Sequence, residues 1–148
     1  MKSLKLLSLA LFAVVAFTIS SCGPDEYVVP FSISNIDNDV NGSMNDSEII
    51  GKFNITNNTD TELTLRWKRQ NEDFPTGWES AICDHILCYD RTLSERDLVL
   101  DANATEEIKF NFYPEGVAGS GTADLVIYDP VNEVESTYTV SFSALARQ

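Results

Sequence analysis

The sequence has few of the residues and motifs that catalysis needs. Its 148 residues include a single histidine, His85, and contain no Gly-x-Ser-x-Gly nucleophile elbow. A nucleophilic side chain needs a neighbouring base, and no cysteine–histidine pair here has a plausible group to orient the imidazole. The glycines of residues 116–121 precede a strand pattern rather than a helix, so they do not predict a phosphate-binding loop. These absences favour a protein that is not an enzyme and carries no cofactor.

Basic residues are also scarce. Ten Lys and Arg stand against 23 Asp and Glu, which gives a formal net charge of −13. Such a surface repels a phosphate backbone, so nucleic-acid binding is disfavoured. The acidic residues are dispersed, without the long runs that indicate a disordered tail. We expect them to form a solvated surface that can attract divalent cations.

A long apolar run lies close to the start of the chain. Residues 6–19 are apolar apart from two polar positions, and lysines precede them. The run is shorter than the roughly 20 residues that span a bilayer, and it has the length of a signal-peptide core. Ser20 and Ser21 then lead into Cys22, and a signal peptidase needs such small side chains beside its cut. We therefore predict a signal peptide over residues 1–21.

The run Ile19-Ser20-Ser21-Cys22 resembles a bacterial lipobox, with Ile in place of the commoner Leu at its first position. The resemblance implies diacylglycerol on the Cys22 sulfur, cleavage before Cys22 and acylation of the new amine. Several acyl chains, at about 0.8 kcal/mol per buried CH₂, make a lasting anchor. The alternative is an ordinary secretory signal with a chance cysteine at the cut. The implied location is the outer membrane, on its periplasmic or its cell-surface face.

Residues 22–29 are predicted to be a lipidated N-terminus and a short tether. The sequence Gly-Pro-Asp-Glu that follows Cys22 cannot be helical, so the domain is expected close to the membrane. Asp25 and Glu26 also resemble the acidic surface-export signal of Bacteroidota lipoproteins, a resemblance that rests on two carboxylates.

From Pro30 onward, apolar and polar residues alternate with a period of two. In one run, Leu63, Leu65 and Trp67 alternate with polar residues. Such alternation predicts antiparallel strands with one face on a core. Turn sequences separate the runs, and no stretch has an apolar helical stripe. We predict seven or eight strands, near residues 27–36, 48–57, 61–69, 78–83, 97–101, 105–113, 121–128 and 136–144.

Many short strands at this spacing predict a single all-β domain over residues 30–148, an antiparallel β-sandwich of immunoglobulin type. A small barrel is the alternative. Five short motifs in this chain also match those of a known module. They are Asn57-Asn58-Thr59, Leu63-x-Leu65-x-Trp67, Pro75-x-Gly77-Trp78, Cys83-Asp84…Cys88-Tyr89 and Pro114-Glu115-Gly116-x-x-Gly119-x-Gly121.

With these positions, about residues 45–145 resemble an immunoglobulin-like module of secreted and lipid-anchored Bacteroidota proteins, similar in outline to the hydin-type sandwich. The chain departs from antibody domains, because its cysteines are too close in sequence to join two sheets. The resemblance implies a fold and a location, and it implies no catalytic activity.

Cys83 and Cys88 enclose four residues, Asp-His-Ile-Leu. An exported, oxidising setting favours a disulfide between them, worth roughly 2 kcal/mol for so small a loop. A zinc site of Cys83, His85 and Cys88 would lack a fourth ligand, and the spacing matches no common zinc pattern. Redox catalysis would need Cys-x-x-Cys at a helix start. We therefore predict a structural disulfide.

Residues 37–48 match the calcium-loop pattern D-x-[DN]-x-[DN]-G-x₅-E at every position. The flanking sequences predict strands, whereas an EF-hand loop lies between two helices. A polar connection between the first two strands is the favoured alternative, and no metal is assigned to the chain. If the segment does bind calcium, the ligands would be Asp37, Asp39, Asn41, Ser43, Asn45 and Glu48.

The two tryptophans have different expected roles. Trp67 is in phase with Leu63 and Leu65, so it is predicted to lie in the core. Trp78 follows a Pro-Thr-Gly turn, and two alternatives stay open for it. It either packs on the disulfide loop or forms an exposed aromatic platform for a sugar ring or a partner protein.

Two functions from different classes follow. The first is a membrane-anchored, non-catalytic lipoprotein that acts as a binding or accessory module at the cell envelope, with an envelope protein or glycan as partner. The alternative is a small carboxylate-based hydrolase that acts on envelope glycans. A deep acidic cleft with two converging carboxylates would favour the enzyme, and a flat face with exposed aromatic residues would favour the module.

Overall fold

The computed structural model describes residues 27–148, and every regular element in that range is a β-strand. Signal peptide, Cys22 and the first part of the tether lie outside these residues. Among the residues described, no helix is long and apolar enough to cross a membrane. The strands are β1 Phe31–Asp37, β2 Asp39–Ser43, β3 Ile49–Asn57, β4 Leu63–Asp73, β5 Glu79–Cys83, β6 Glu95–Leu100, β7 Thr105–Tyr113, β8 Gly119–Tyr128 and β9 Thr137–Arg147.

The strands form two sheets that enclose one core. The first has the order β1-β3-β7-β5 and the second the order β2-β9-β8-β4-β6. All neighbours are antiparallel except β2, which runs parallel to β9. Strands β1, β3, β7 and β5 correspond to the A-B-E-D sheet of the immunoglobulin fold, and β9, β8 and β4 to its G-F-C sheet. The predicted sandwich is confirmed, and the barrel alternative is wrong because each sheet keeps two free edges.

The core is built from the apolar members of each alternating strand. Trp67 on β4 has no solvent exposure, and its ring centroid lies 5.5 Å from that of Tyr89. Its predicted place in the core is confirmed. The other large side chains that are fully buried include Phe53, Ile55, Leu65, Leu98, Leu100, Ile108, Phe110, Phe112, Leu125 and Phe142.

One strand was not predicted from the sequence. The structure has β2 where a polar connection was expected, paired in parallel from Asp39 opposite Ser143 to Ser43 opposite Arg147. Only Val40 of this strand is buried, so the segment shows no apolar alternation. It is a strand because its backbone completes the edge of β9, a partner about a hundred residues away in sequence. Residues 27–148 therefore form nine strands, and the polar-connection prediction is corrected for residues 39–43.

The two ends of the sandwich carry different loops. Phe31 at the start of β1 pairs with Asn57 at the end of β3, so the N-terminal residues lie where β3 finishes. Strands β6 and β8 also run toward that end. We call it the tether end, and it carries residues 27–30, 58–62, 101–104 and 129–136. The distal end carries residues 44–48, 74–78, 114–118 and the C-terminus.

Candidate functional site

The Cys83–Cys88 disulfide is formed, which confirms the predicted pairing. The loop that it closes continues from β5 on the flank of the first sheet. After the loop, the Tyr89 backbone N–H donates to the carbonyl of Ile82 at 2.9 Å, so the returning chain covers the last residues of the free edge of β5. This contact protects that end of the edge strand from pairing with another chain.

Asp84 shapes the tip of this loop. Its Oδ1 accepts hydrogen bonds from the backbone N–H groups of Ile86 at 2.8 Å and Leu87 at 3.1 Å, and its Oδ2 accepts one from the Tyr89 hydroxyl. The Asp84 N–H donates to the Leu87 carbonyl at 3.1 Å. The disulfide and this carboxylate together hold the tip in one conformation.

Two aliphatic side chains point into solvent from this constrained tip. Ile86 is 64% exposed and Leu87 is 47% exposed. Since exposed aliphatic side chains cost free energy in water, an adjacent pair on a constrained loop is a candidate binding surface. We call Asp84, His85, Ile86 and Leu87 the disulfide-loop tip.

Tyr89 connects the disulfide loop to the core through side-chain packing. Its ring packs on Trp67, and the Arg96 guanidinium lies 4.8 Å from its ring centroid on the second sheet's side. Burial, followed by the hydrogen bond to Asp84, raises the pKa of Tyr89 to about 12. The hydroxyl is therefore neutral at physiological pH and remains a donor to Asp84.

A shallow groove separates the disulfide-loop tip from β7. Glu106, Glu107 and Lys109 line its floor. Lys52 lies 3.1 Å from the Glu107 carboxylate, and the hydrogen bond between them is the main cause of a lowered pKa at Glu107. The general acid of a glycosidase needs a raised pKa, whereas the pKa of Glu107 is lowered.

The predicted calcium segment is partly engaged in protein hydrogen bonds. Asp39 accepts one from the Ser143 hydroxyl at 2.8 Å, and Asn41 accepts one from Arg147 at 3.3 Å. The Glu48 carboxylate accepts a hydrogen bond from the Asn111 side chain. Asp37 ends β1, while Ser43 ends β2 and its hydroxyl accepts from the Asn45 N–H at 3.2 Å.

These contacts bear on calcium binding. Residues 39–43 are extended along β9 and do not wrap around a central point. Within residues 27–148, no group of three or more His, Cys, Asp or Glu side chains is arranged to hold a metal ion. Calcium binding by residues 37–48 stays a prediction, and a rearrangement of this edge would have to accompany it.

Thermal melting tests the calcium prediction. A site without flanking helices would bind weakly, roughly in the 10⁻⁴–10⁻³ M range of extracellular modules. At ten times the dissociation constant, Ca²⁺ would add about 1.4 kcal/mol and raise Tm by several degrees. The protein is melted in EDTA and then in excess CaCl₂. An equal rise with MgCl₂, or a rise that Glu48→Gln leaves unchanged, would contradict a calcium site.

A groove beside β2 bears on the hydrolase alternative, because several carboxylates of the same region line it. Asp37, Asp39, Asp46 and Glu48 line one groove beside β2. Asp46 accepts the backbone N–H of Ser43 at 2.7 Å, and Glu48 is held by Asn111. These two carboxylates thus stabilise the β2–β3 connection, and no observation on this groove favours hydrolysis.

Trp78 lies at the distal end and is 6% exposed. Its Nε1 donates to the Val117 carbonyl at 2.8 Å, and its ring packs near Phe74 and Phe112. A Cβ placed on Gly121 would lie 3.0 Å from Trp78 Cζ3, so this glycine permits the close approach. The expected platform in solvent is therefore wrong. The aromatic neighbours of the buried ring are Phe74 and Phe112.

Sequence reasoning missed the roles of Asp84, Ile86 and Leu87. Asp84 is one of the motif residues that resemble the module, but no role was predicted for it. An aspartate whose side chain accepts hydrogen bonds from the N–H groups two and three residues further on is nevertheless a common turn signal. The exposure of Ile86 and Leu87 has no local signal, because an apolar pair in so short a loop points either inward or outward.

Comparisons with known proteins support the fold. No protein-family model and no curated protein matches the chain. Among solved structures, the N-terminal domain of PorA has a TM-score of 0.54 at 13% identity, over 78% of this chain and 96% of that chain. A FixG-related protein from Vibrio parahaemolyticus has a TM-score of 0.50 at 11% identity, over 82% of this chain and 100% of that chain.

A third similar structure is much longer than this chain. A family 123 glycoside hydrolase from Clostridium perfringens has a TM-score of 0.50 at 10% identity, over 78% of this chain but 27% of that chain. At such low identities these similarities concern the fold alone. Residues 27–148 form an immunoglobulin-like β-sandwich.

Proposed function

We propose that this chain is an exported bacterial lipoprotein, anchored through Cys22 in the outer membrane, whose sandwich is a non-catalytic binding or accessory module at the cell envelope. The observation that supports a binding role is the disulfide-loop tip, which presents Ile86 and Leu87 on a constrained backbone. The lipobox at residues 19–22 supports the anchor. The disulfide suits an oxidising compartment outside the cytoplasm.

A protein partner fits the tip better than a glycan. Sugar rings stack on exposed aromatic side chains, whereas Trp78 is buried and the tip carries aliphatic residues. An aliphatic pair is complementary to an apolar groove on another protein. Because the disulfide and Asp84 already order the loop, binding would cost little conformational entropy.

A non-catalytic role is consistent with the chemistry of the groove. His85, the single histidine, lies exposed at the tip. Among the described residues, two carboxyl groups have a shifted pKa: Glu107 in the groove and Asp90 after the loop. The pKa is lowered in both, mainly by hydrogen bonds from Lys52 and Thr92 respectively. Ionised carboxylates of this kind serve poorly as general acids.

Replacing Cys22 with Ser tests the anchor. We expect the variant to lose all incorporation of an alkyne fatty acid during metabolic labelling, because serine offers no thiol for the thioether bond. The protein should then remain unprocessed or be released in soluble form. Cys83→Ser/Cys88→Ser is the matched control and should keep full labelling. Equal labelling of Cys22→Ser and the parent protein would remove the lipoprotein proposal.

Site-specific crosslinking tests the binding surface. With a photocrosslinking amino acid at position 87, we expect one adduct of defined mass in intact cells. The same residue at position 99, an exposed site on β6, is the control and should give no such adduct. Ile86→Ser should weaken the adduct at position 87 by about tenfold. Crosslinks of equal yield at positions 87 and 99 would contradict a binding role for the tip.

A further inference from the structure

Exposed aliphatic residues are unevenly distributed over the terminal segments and loops at the two ends of the sandwich. In the N-terminal segment, Val28 is 80% exposed and Val29 is 40% exposed. In the β8–β9 hairpin loop, Val131 is 84% exposed and Val134 is 97% exposed. Both segments belong to the tether end. At the distal end, by contrast, Met44, Phe74 and Val117 pack against the core.

The topology explains why these two segments share one end. Tyr128 at the end of β8 pairs with Thr137 at the start of β9, so the hairpin loop projects past the strands there. Tyr128 also pairs with Arg66 near the start of β4. Strand β4 begins directly after the loop that follows β3, where the N-terminal residues lie. Both valine pairs therefore extend from the same end.

The predicted tether is short compared with the sandwich. Seven residues, 23–29, separate Cys22 from Pro30, and even fully extended they reach at most about 25 Å. A nine-residue strand such as β7 is itself about 30 Å long. A lipid on Cys22 would therefore keep the tether end next to the bilayer.

We propose that the tether end docks on the bilayer surface through Val28, Val29, Val131 and Val134, an inference that rests on the proposed lipidation of Cys22. The four side chains enter the boundary between headgroups and acyl chains. Their intrinsic affinity is small, but a tether of this length holds them at an effective concentration on the order of millimolar. Weak apolar contacts are then sufficient to orient the domain.

The charges around these valines determine which lipid headgroups favour docking. Loops 58–62, 101–104 and 129–136 contain acidic residues and no Lys or Arg. Docking is therefore apolar and opposed by a negative surface potential. A zwitterionic bilayer favours the docked orientation, and anionic lipid weakens it.

The test uses the full-length lipidated protein in vesicles of phosphatidylcholine. Val134→Cys carries an environment-sensitive fluorophore, and Ser120→Cys at the distal end is the matched control. We expect a blue-shifted emission and quenching by nitroxide-labelled lipid at position 134, with neither at position 120. Vesicles with half phosphatidylglycerol should reduce the quenching at position 134 at least twofold.

The possible outcomes distinguish the docking inference from the lipoprotein proposal. Protein that floats with the vesicles while position 134 stays unquenched overturns the docking inference and leaves the anchor intact. Protein that does not float overturns the lipoprotein proposal, and the docking inference with it. A blue shift at position 134 that is equally large without vesicles assigns the valines to contact with a second copy of the chain, which also overturns docking.

Discussion

Replacing Asn57 with alanine is expected to lower the free energy of unfolding by about 3 kcal/mol. The side chain has no solvent exposure, and the two hydrogens of its Nδ2 are shared among the carbonyls of Thr61 at 2.8 Å, Asp101 at 2.9 Å and Leu100 at 3.2 Å. Its Oδ1 accepts from the Thr59 N–H at 2.9 Å and the Thr59 hydroxyl at 2.8 Å. Alanine removes these hydrogen bonds, at about 1–3 kcal/mol for each group that is then buried without a partner. The Thr59 hydroxyl still donates to the Thr61 carbonyl, and the Asp101 carbonyl still accepts from the Ala104 N–H.

Urea denaturation measures this effect. The midpoint should fall while the slope of the transition stays constant, because the surface exposed on unfolding hardly changes. Asn54→Ala is the matched control, since Asn54 lies on the same strand with its side chain on the outer face. We expect it to change the stability by less than about 0.5 kcal/mol. A similar loss in both variants would mean that the hydrogen bonds of Asn57 do not brace the tether-end loops.

Replacing Trp67 with alanine is expected to cost about 3–5 kcal/mol, the usual range for removing a large buried aromatic side chain. The cavity would lie beneath Tyr89, so the support of the disulfide loop is lost together with core packing. Strand β4 occupies the place of strand C in an immunoglobulin domain, where a buried tryptophan also packs in the centre of the core.

Two further variants show which property of Trp67 matters. Trp67→Phe should cost clearly less than Trp67→Ala, because the Trp67 indole N–H has no hydrogen-bond partner among the described residues. Thr64→Ala, on the outer face of β4, should leave the urea midpoint nearly unchanged. A Trp67→Phe variant as unstable as Trp67→Ala would show that the indole N–H makes a contact that stabilises the fold.

The eight predicted strands are all present, and their success has a local cause. A strand with one buried face alternates apolar and polar residues in its own sequence, as at Leu63, Leu65 and Trp67. The disulfide was also accessible to sequence reasoning, because Cys83 and Cys88 lie five positions apart and need no distant element to meet. Signal peptide and lipid anchor depend on residues outside those described, and they stay predictions.

The candidate site was less predictable because it depends on contacts between distant segments. Nothing in the residues of the disulfide loop shows that Tyr89 packs on Trp67, or that Asp84 turns back to its own loop. Trp78 is similar, since its burial depends on Val117 and Gly121 about forty residues further along. A turn sequence before a tryptophan is compatible with an exposed or a buried ring.

The sequence by itself determined the all-β class, the positions of eight strands and the cysteine pairing, because these follow from side-chain alternation and from neighbours in the chain. Only the tertiary structure decided that residues 39–43 are a strand, since their pairing with β9 comes from backbone groups that every sequence shares. The tertiary structure likewise decided which apolar residues stay in solvent. Val131 and Val134 are exposed because their loop extends past the ends of the strands, and Ile86 and Leu87 because their loop lies on the flank of the first sheet.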